Sequence, residues 1–324
     1  MPSRRVIGVD MGGTKLLAGA VDAGLGVHHR VQRTLTGLDQ SSLLNTVQDA
    51  VEGLTERSGS EIAAIGFGIP SLIDRRTGTA VVAVNLALKN IRFADVMAER
   101  LGLPVFVDND GNVAALAEHR AGAAVGASDV ALMTIGTGIG GGLILGGAPY
   151  RGSVGSGAEL GHMVIDQNGP PCQGNCPNHG CIESLASGTA LAREATKIAG
   201  EQPDSGLGRA LRSGQELAGP LVTELAYDGD IAAREVLTLI GTRLGVAFAS
   251  LVNIFNPELI VVGGGVMAAG ELLLEPARAE VLRRALPPSR DLVRIVAAKF
   301  GAEAGMIGAA ALAIDGLAER GMRL

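Results

Sequence analysis

Val6-Ile7-Gly8-Val9-Asp10-Met11-Gly12-Gly13-Thr14-Lys15-Leu16-Leu17-Ala18-Gly19-Ala20-Val21 sets two apolar runs around a glycine–threonine turn. Val6–Val9 reads as a buried strand, Asp10–Lys15 as a turn and Leu16–Val21 as a second strand. The pattern recurs about 124 residues later when Gly12 is set against Gly136. There Val130–Ile135 is a strand, Gly136-Thr137-Gly138-Ile139-Gly140-Gly141-Gly142 a turn, and Leu143–Leu145 a returning strand. An internal duplication giving two similar lobes is the economical explanation.

Working outward, Leu43, Leu44, Val47, Ala50, Val51 and Leu54 fall at helical spacing, and Ser58-Gly59 ends that helix. Ile62–Ile69 is a strand stopped at Pro70. Pro104–Val107 is another, running into Asp108-Asn109-Asp110-Gly111-Asn112, with Val113, Ala114, Leu116 and Ala117 on the helix that follows. The second half predicts a long helix over about 230–253, a strand Leu259–Val262 and the run Gly263-Gly264-Gly265. A helix near Glu271–Ala285, a strand Val293–Ala297 and a terminal helix after Gly301 complete it. Alternating strands and helices define an α/β fold, with a hinge expected near Gly122–Ser128.

The 324 residues suit two domains, since single cores stop growing at roughly 250–300 residues. Hydrophobic residues make up 47% of the chain but aromatics only 2%, so Ala, Val, Leu and Ile must fill the interior. The 48 glycines are about twice the ordinary share, and their runs suit backbone that approaches a ligand closely. A net charge of −6 speaks against nonspecific nucleic-acid binding. No signal peptide and no unambiguous membrane span is read; the apolar Gly241–Ile254 carries Arg243 and Asn253 and reads as a buried helix.

All three cysteines lie within ten residues, Cys172-Gln173-Gly174-Asn175-Cys176-Pro177-Asn178-His179-Gly180-Cys181. A core would scatter them. Three thiolates plus one imidazole make a closed tetrahedral zinc site, with His162 as the preferred fourth ligand and His179 as its rival. Thiols that cannot all pair, at metal-like spacing, fit a reducing cytoplasm. Glu159 and Glu183 bracket the cluster, and read either as solvated surface carboxylates or as acceptors for a polar substrate.

Asp10-Met11-Gly12-Gly13-Thr14-Lys15 has the ingredients of a phosphate site. Glycine amides can approach oxygens, Thr14 can donate a hydroxyl, and Lys15 or Asp10 can bind phosphate or magnesium. A plain hairpin turn is the alternative. It is not a Walker A loop, because Gly13 is followed by Thr-Lys and a strand comes next. Gly136, Gly138 and Gly141 match G-x-G-x-x-G, but a dinucleotide fingerprint must open a helix, and here a strand follows. Two such turns, with Gly263–Gly265 ahead of a helix N-terminus, read as a nucleotide clamp.

Taken in order, Asp10-x-Gly-Gly-Thr-Lys15, Asn109-Asp110, Gly136-Thr-Gly-x-Gly-Gly-Gly142, Glu159-x-Gly-His162, the cysteine loop ending Cys181-x-Glu183, and Val262-Gly-Gly-Gly265 resemble the ROK (repressor, ORF, kinase) family, especially its bacterial glucokinases. The resemblance spans essentially the whole chain. It implies a two-lobed actin/hexokinase/Hsp70-type ATPase fold with duplicated ribonuclease-H-like lobes and an interlobe active-site cleft. The lobes would be 1–122, with the terminal helix of about 303–324 packing back on it, and 123–302, carrying the zinc loop 159–183.

By the same resemblance Asp10, Gly12, Gly13, Thr14, Lys15, Gly136, Thr137, Gly138, Gly264 and Gly265 would hold ATP and Mg2+. Asn85, Asn109, Asp110, Glu159, His162 and Glu183 would bind the hexose, with Asp110 as the general base. His162, Cys172, Cys176 and Cys181 would hold structural Zn2+. Asp110 also reads as a helix cap; the accompanying motifs favour the base. His162 is placed to serve both metal and sugar.

Three departures from the family pattern bear on specificity. The cysteine run is two residues longer between its first pair than the usual Cys-x-Cys. Gly68-Ile69-Pro70-Ser71 replaces Gly-x-Pro-Gly, and Asn85-Leu86-Ala87-Leu88 lacks the aromatic that often follows the Asn-Leu pair. The expected activity is glucose to glucose 6-phosphate, in a cytoplasmic homodimer or homotetramer without nucleic-acid or membrane partners. The rivals are kinases of N-acetylmannosamine, fructose or allose, a polyphosphate-using glucokinase (which usually lacks the cysteine loop), and a non-catalytic sugar sensor. A repressor is disfavoured because the first strand begins by Val6, leaving no room for a winged helix.

Overall fold

The opening apolar run forms β1 (Arg4–Met11), with Val6, Ile7, Val9 and Met11 wholly buried, in a computed structural model that describes residues 4–83, 86–322 and 324. β2 (Lys15–Val21) returns antiparallel with Met11 opposite Leu16, and β3 (Val27–Thr34) adds antiparallel beyond it. In α1 (Gln40–Ser58) the Asp39 carboxylate accepts the Ser42 N–H at 2.8 Å. Gly59 ends the helix at φ 60°, a left-handed position that glycine adopts at no steric cost. β4 (Glu61–Ile69) lies parallel to β1.

A small sheet of β5 (Ser71–Asp74), β6 (Thr79–Ala83) and β7 (Lys89–Ile91) follows. The sequence did not reveal it, since strands of three to five residues carry too little periodicity. Then come α2 (Phe93–Leu101), β8 (Val105–Asn109), parallel to β4, and α3 (Asp110–Ala121). The first large sheet is ordered β3-β2-β1-β4-β8.

The echo of the opening gives β9 (Val130–Ile135), β10 (Ile139–Leu145) and β11 (Ala148–Tyr150). After the cysteine loop come α4 (Ile182–Ala186), α5 (Gly188–Glu201), α6 (Gly206–Arg212), α7 (Gly219–Tyr227) and α8 (Ile231–Phe255). β12 (Leu259–Gly263), α9 (Glu271–Arg284), α10 (Ser289–Leu292), β13 (Arg294–Ala297) and α11 (Ala304–Glu319) end the chain. The second large sheet is ordered β11-β10-β9-β12-β13. In both sheets the first strand of the motif is central, and the fourth and fifth add parallel on one side. The second and third lie on the other. That is one plan used twice.

The chain divides into two compact units, one of residues up to 126, 142–158 and 302 onward, the other of 127–141 and 159–301. Segment 142–158, assigned by sequence to the second lobe, falls with the first unit. Close packing accounts for this: a Cβ on Gly142 would meet the Gly111 carbonyl of α3 at 2.5 Å.

In the first unit α11 lies on β1 and β4 with backbone against backbone: a Cβ on Gly66 would sit 1.7 Å from the Ala309 carbonyl. α8 and the helical stretch Gly301–Glu319 that contains α11 are each long and apolar enough to cross a membrane by length and composition. More than half of each apolar window is buried, α8 against α5, α7 and α9, and α11 against β1, β4 and α3. Their apolar residues build cores.

Candidate functional site

In the first unit the β1–β2 turn is closed by the Gly12 N–H donating to the Lys15 carbonyl at 2.8 Å, and Thr14 and Lys15 are exposed. Asp10, at the end of β1, faces the first turn of α11, where Gly305 leaves room: a Cβ there would be 2.4 Å from the Asp10 carboxyl carbon. Burial, then the neighbouring Asp110 carboxylate, raise the Asp10 pKa to about 7, with Lys15 opposing. Like charges in a poorly hydrated place disfavour ionisation. A cation at that position would relieve it.

β8 delivers Asp108, Asn109 and Asp110 to the N-terminus of α3. Asn109 is the cap, its Oδ1 accepting the N–H groups of Gly111 at 2.8 Å and Asn112 at 3.4 Å. Asp110 is the first helical residue, and its Oδ1 accepts the Gly111 N–H at 2.9 Å. The capping role therefore belongs chiefly to Asn109. Burial raises the Asp110 pKa, with the hydrogen bond from the Gly111 N–H opposing.

In the second unit the β9–β10 turn is pinned from α5. The Gly188 N–H donates to the Gly136 carbonyl at 2.7 Å and the Thr189 hydroxyl to the Thr137 carbonyl at 2.8 Å. Thr137 is exposed, and a strand, not a helix, follows the turn. Gly263 ends β12 and Gly264 takes φ 89°. A short 3-10 turn, Gly265–Ala269, intervenes before α9 starts at Glu271, so the glycine run does not lead straight into that helix as expected.

The cysteine loop is stapled by paired strands of backbone, Val164 with Cys181 and Pro171 with His179. One ligand atom each from His162, Cys172, Cys176 and Cys181 lies within 4.8 Å of all the others. Cys176 and Cys181 Sγ are 3.9 Å apart, and Cys172 Sγ is 3.5 Å from His162 Nδ1. Zn–S bonds of about 2.3 Å in a tetrahedron set sulfurs roughly 3.8 Å apart, so this donor set fits zinc. Burial and then the other thiols push the Cys172 pKa up; such a cluster ionises together only around a cation. His179 is exposed, with Nδ1 3.3 Å from the Gly169 carbonyl, and is outside the cluster.

Glu159 is exposed at the entry to a 3-10 turn, Leu160–His162. Glu183 accepts the Ile139 N–H at 2.8 Å through Oε2, while the Cys172 thiol points to Oε1 at 3.9 Å. One carboxylate thus joins the metal-ligand loop to the glycine turn. Asn85 lies outside the described residues.

A ROK-family domain matches residues 6–316. The chain belongs to the ROK family. A glucokinase of Halalkalibacterium halodurans is 36% identical over 95% of this chain and 94% of its own length. The crystal structure of a ROK family glucokinase from Streptomyces griseus in complex with glucose and AMPPNP superposes with TM-score 0.84 at 35% identity, covering 95% of this chain and 99% of that one. A putative xylose repressor of Caldicellulosiruptor is 33% identical over 78% of this ROK chain, which spans 63% of that protein. The fold is the two-lobed α/β architecture of actin/hexokinase-type ROK kinases.

What sequence reading missed in this ROK chain is the support. Asp108 is 4% exposed and paired with Arg151 from the segment after β11, and Gly305 makes room for Asp10. Neither contact has a local spacing signal, because each joins residues far apart in sequence. A cavity of about 1280 Å³ beside β8 is lined by Arg151, Arg120 and Phe106 but not by Asp10, Asn109 or Asp110.

Proposed function

We propose that this chain is an ATP-dependent glucokinase, transferring the γ-phosphoryl group of ATP to the 6-hydroxyl of glucose. The observation that carries this reading is the end-to-end likeness, at 35% identity, to a kinase captured with glucose and an ATP analogue. The enzyme is read as cytoplasmic and oligomeric, with the two compact units as its lobes.

Asp110 is the base. As the sugar O6 attacks the γ-phosphorus, the O6–H proton passes to a carboxylate oxygen of Asp110, the bond from phosphorus to the β–γ bridging oxygen breaks, and ADP leaves. Asn109 fixes the start of α3 and so the direction of Asp110, and with Glu159, His162, Glu183 and Asn85 it binds the sugar. The glycine turns at 12–13, 136–138 and 264–265, which let backbone approach the phosphates closely, hold the nucleotide with Thr14, Lys15 and Thr137. Magnesium neutralises the transferring phosphoryl when bound, and Asp10 is the carboxylate this chain offers it.

Zinc, where bound to His162, Cys172, Cys176 and Cys181, supplies rigidity, fixing the 159–183 loop through His162 at one end and Cys181, next to α4, at the other. With Nδ1 turned to the thiols, His162 keeps Nε2 for substrate.

The test is a coupled assay of purified protein against glucose, mannose, fructose, allose and N-acetylhexosamines, with ATP or polyphosphate as donor. Highest kcat/KM with glucose and ATP is expected. No turnover with any sugar, alongside measurable sugar binding, would replace the kinase with a sensor.

A further inference from the structure

We infer that Arg151 is a positioning residue for the base: its guanidinium neutralises and clamps Asp108, and through Asp108 it holds the Asn109–Asp110 turn and keeps Asp110 ionisable. This rests on the assignment of Asp110 as the base.

Asp108 is buried, and every contact of its carboxylate points at the catalytic turn or at Arg151. Oδ1 accepts the Asn109 N–H at 2.8 Å and the Asn112 Nδ2–H at 2.9 Å. Oδ2 accepts from Arg151 Nε. The two residues held by Oδ1 flank Asp110 and Gly111 in sequence, so the carboxylate grips the turn on both sides of the base. Asn109 in turn caps α3 and donates to the Ser71 carbonyl at 3.4 Å. A shift of Asp108 would pass directly to the backbone that aims Asp110.

Arg151 is itself held. Its side chain is 11% exposed, its Nη1 donates to the Pro149 carbonyl at 3.4 Å, and its own carbonyl accepts the Gly157 N–H at 2.9 Å. The segment it stands on is locked to β5: a Cβ on Gly155, at φ 107°, would lie 2.2 Å from the Ile73 carbonyl. The Arg75 N–H also reaches the Val154 carbonyl at 3.2 Å. A buried arginine on a rigid support is a built clamp, unlike a surface ion pair, which is worth little.

Asp10 from β1 is coupled to Asp110, with Lys15 of β2 opposing at Asp10, and the Asp108–Arg151 pair stands on β8 and the 151–158 segment, with Asp108 two residues before the base in sequence. The carboxylate–guanidinium pair is neutral as a whole. Removing the guanidinium alone leaves the buried Asp108 carboxylate unpaired two residues before the base, and an unneutralised negative charge held on that turn disfavours the ionised base. Removing both charges leaves a neutral amide in place of the Asp108 carboxylate, and its single oxygen can still accept from Asn109 and Asn112.

The test compares Arg151→Met, Arg151→Lys, the double variant Asp108→Asn/Arg151→Met and Asp110→Asn, each checked for Tm, in kcat against pH with glucose and ATP. Arg151→Met is expected to lose about tenfold or more in kcat at pH 7, and its acid limb should move up by about one pH unit. The double variant should return the limb to the parent position, and Arg151→Lys should keep the limb with an intermediate kcat. If Arg151→Met is folded with the parent limb, or the folded double variant keeps the displaced limb, the inference is overturned. Should Arg151→Met fail to fold, the double variant and Arg151→Lys decide it in the same way. Full turnover by Asp110→Asn would instead overturn the assignment of the base.

Discussion

At the scale of single residues, Asp110 and Asp10 share a poorly hydrated place but face different tasks. Asp110→Asn keeps the size and the hydrogen bond to Gly111 while removing the proton acceptor. General-base catalysis contributes about 10²–10⁴, so kcat should fall at least 10²-fold with Tm within a few degrees of the parent; wild-type turnover would refute the role. Asp10 gives a stability prediction with a definite sign. Its carboxyl is raised to about 7 in the folded chain from an ordinary 3.8. Between about pH 4 and 7 the unfolded chain has lost this proton and the folded chain retains it, so stability falls as pH rises through that window and levels off above it. Each unit of displacement is about 1.4 kcal/mol, and Asp10 is only half-buried. Asp10→Asn should therefore raise stability at pH 8 by on the order of 1–2 kcal/mol, flatten the Tm–pH slope and abolish activity. An unchanged slope, measured without nucleotide or magnesium, would contradict it. Such gains at functional carboxylates are a common trade of stability against activity.

At the scale of elements, the cysteine loop and the α11 packing were legible to different degrees. The loop could be read because zinc ligands declare themselves by residue type; the sequence preferred His162 to His179, and the fold brings His162 Nδ1 to 3.5 Å from Cys172 while His179 lies outside the cluster. The role of Glu183 as a brace to the Ile139 amide was invisible, since it joins residues 44 apart in sequence. Chelation with a strong zinc chelator, or Cys176→Ser, should strip one zinc per chain and weaken glucose binding at least tenfold. ATP binding should be affected later and less. Full glucose affinity in protein shown by elemental analysis to be zinc-free would argue against this coupling. Gly66→Ala tests the other contact: with the Ala309 carbonyl 1.7 Å from the new methyl, α11 must shift. Overpacking of this kind costs typically about 1–3 kcal/mol, and a Tm equal to the parent would show that the helix yields freely.

At the scale of the whole molecule, the duplicated strand order was visible in the two glycine–threonine turns, because a strand–turn–strand unit leaves a local signature. The division into units was less so, since a boundary set by tertiary contacts, such as Gly142 against Gly111, has no composition shift to mark it. The chain crosses between units several times, and the first is completed only by its last segment, α11, which covers Ala63, Ala64, Val6 and Val21 with Ala310, Ala313 and Leu317. The second unit is drawn from other parts of the chain: β9 from 127–141, and the zinc ligands, α4 to α10 and β12–β13 from 159–301. Ending the chain at residue 301 should therefore uncover the β1–β4 face and remove Gly305 from beside Asp10, while the second unit keeps its core. The expected result is complete loss of phosphoryl transfer, a low-temperature loss of the first unit's cooperative transition, and zinc retained at one per chain. Under limited proteolysis, a protected fragment near residues 127–301, which keeps the central strand β9, should accumulate. Retained kinase activity, or loss of zinc together with that fragment, would show that the units do not fold as separate cores.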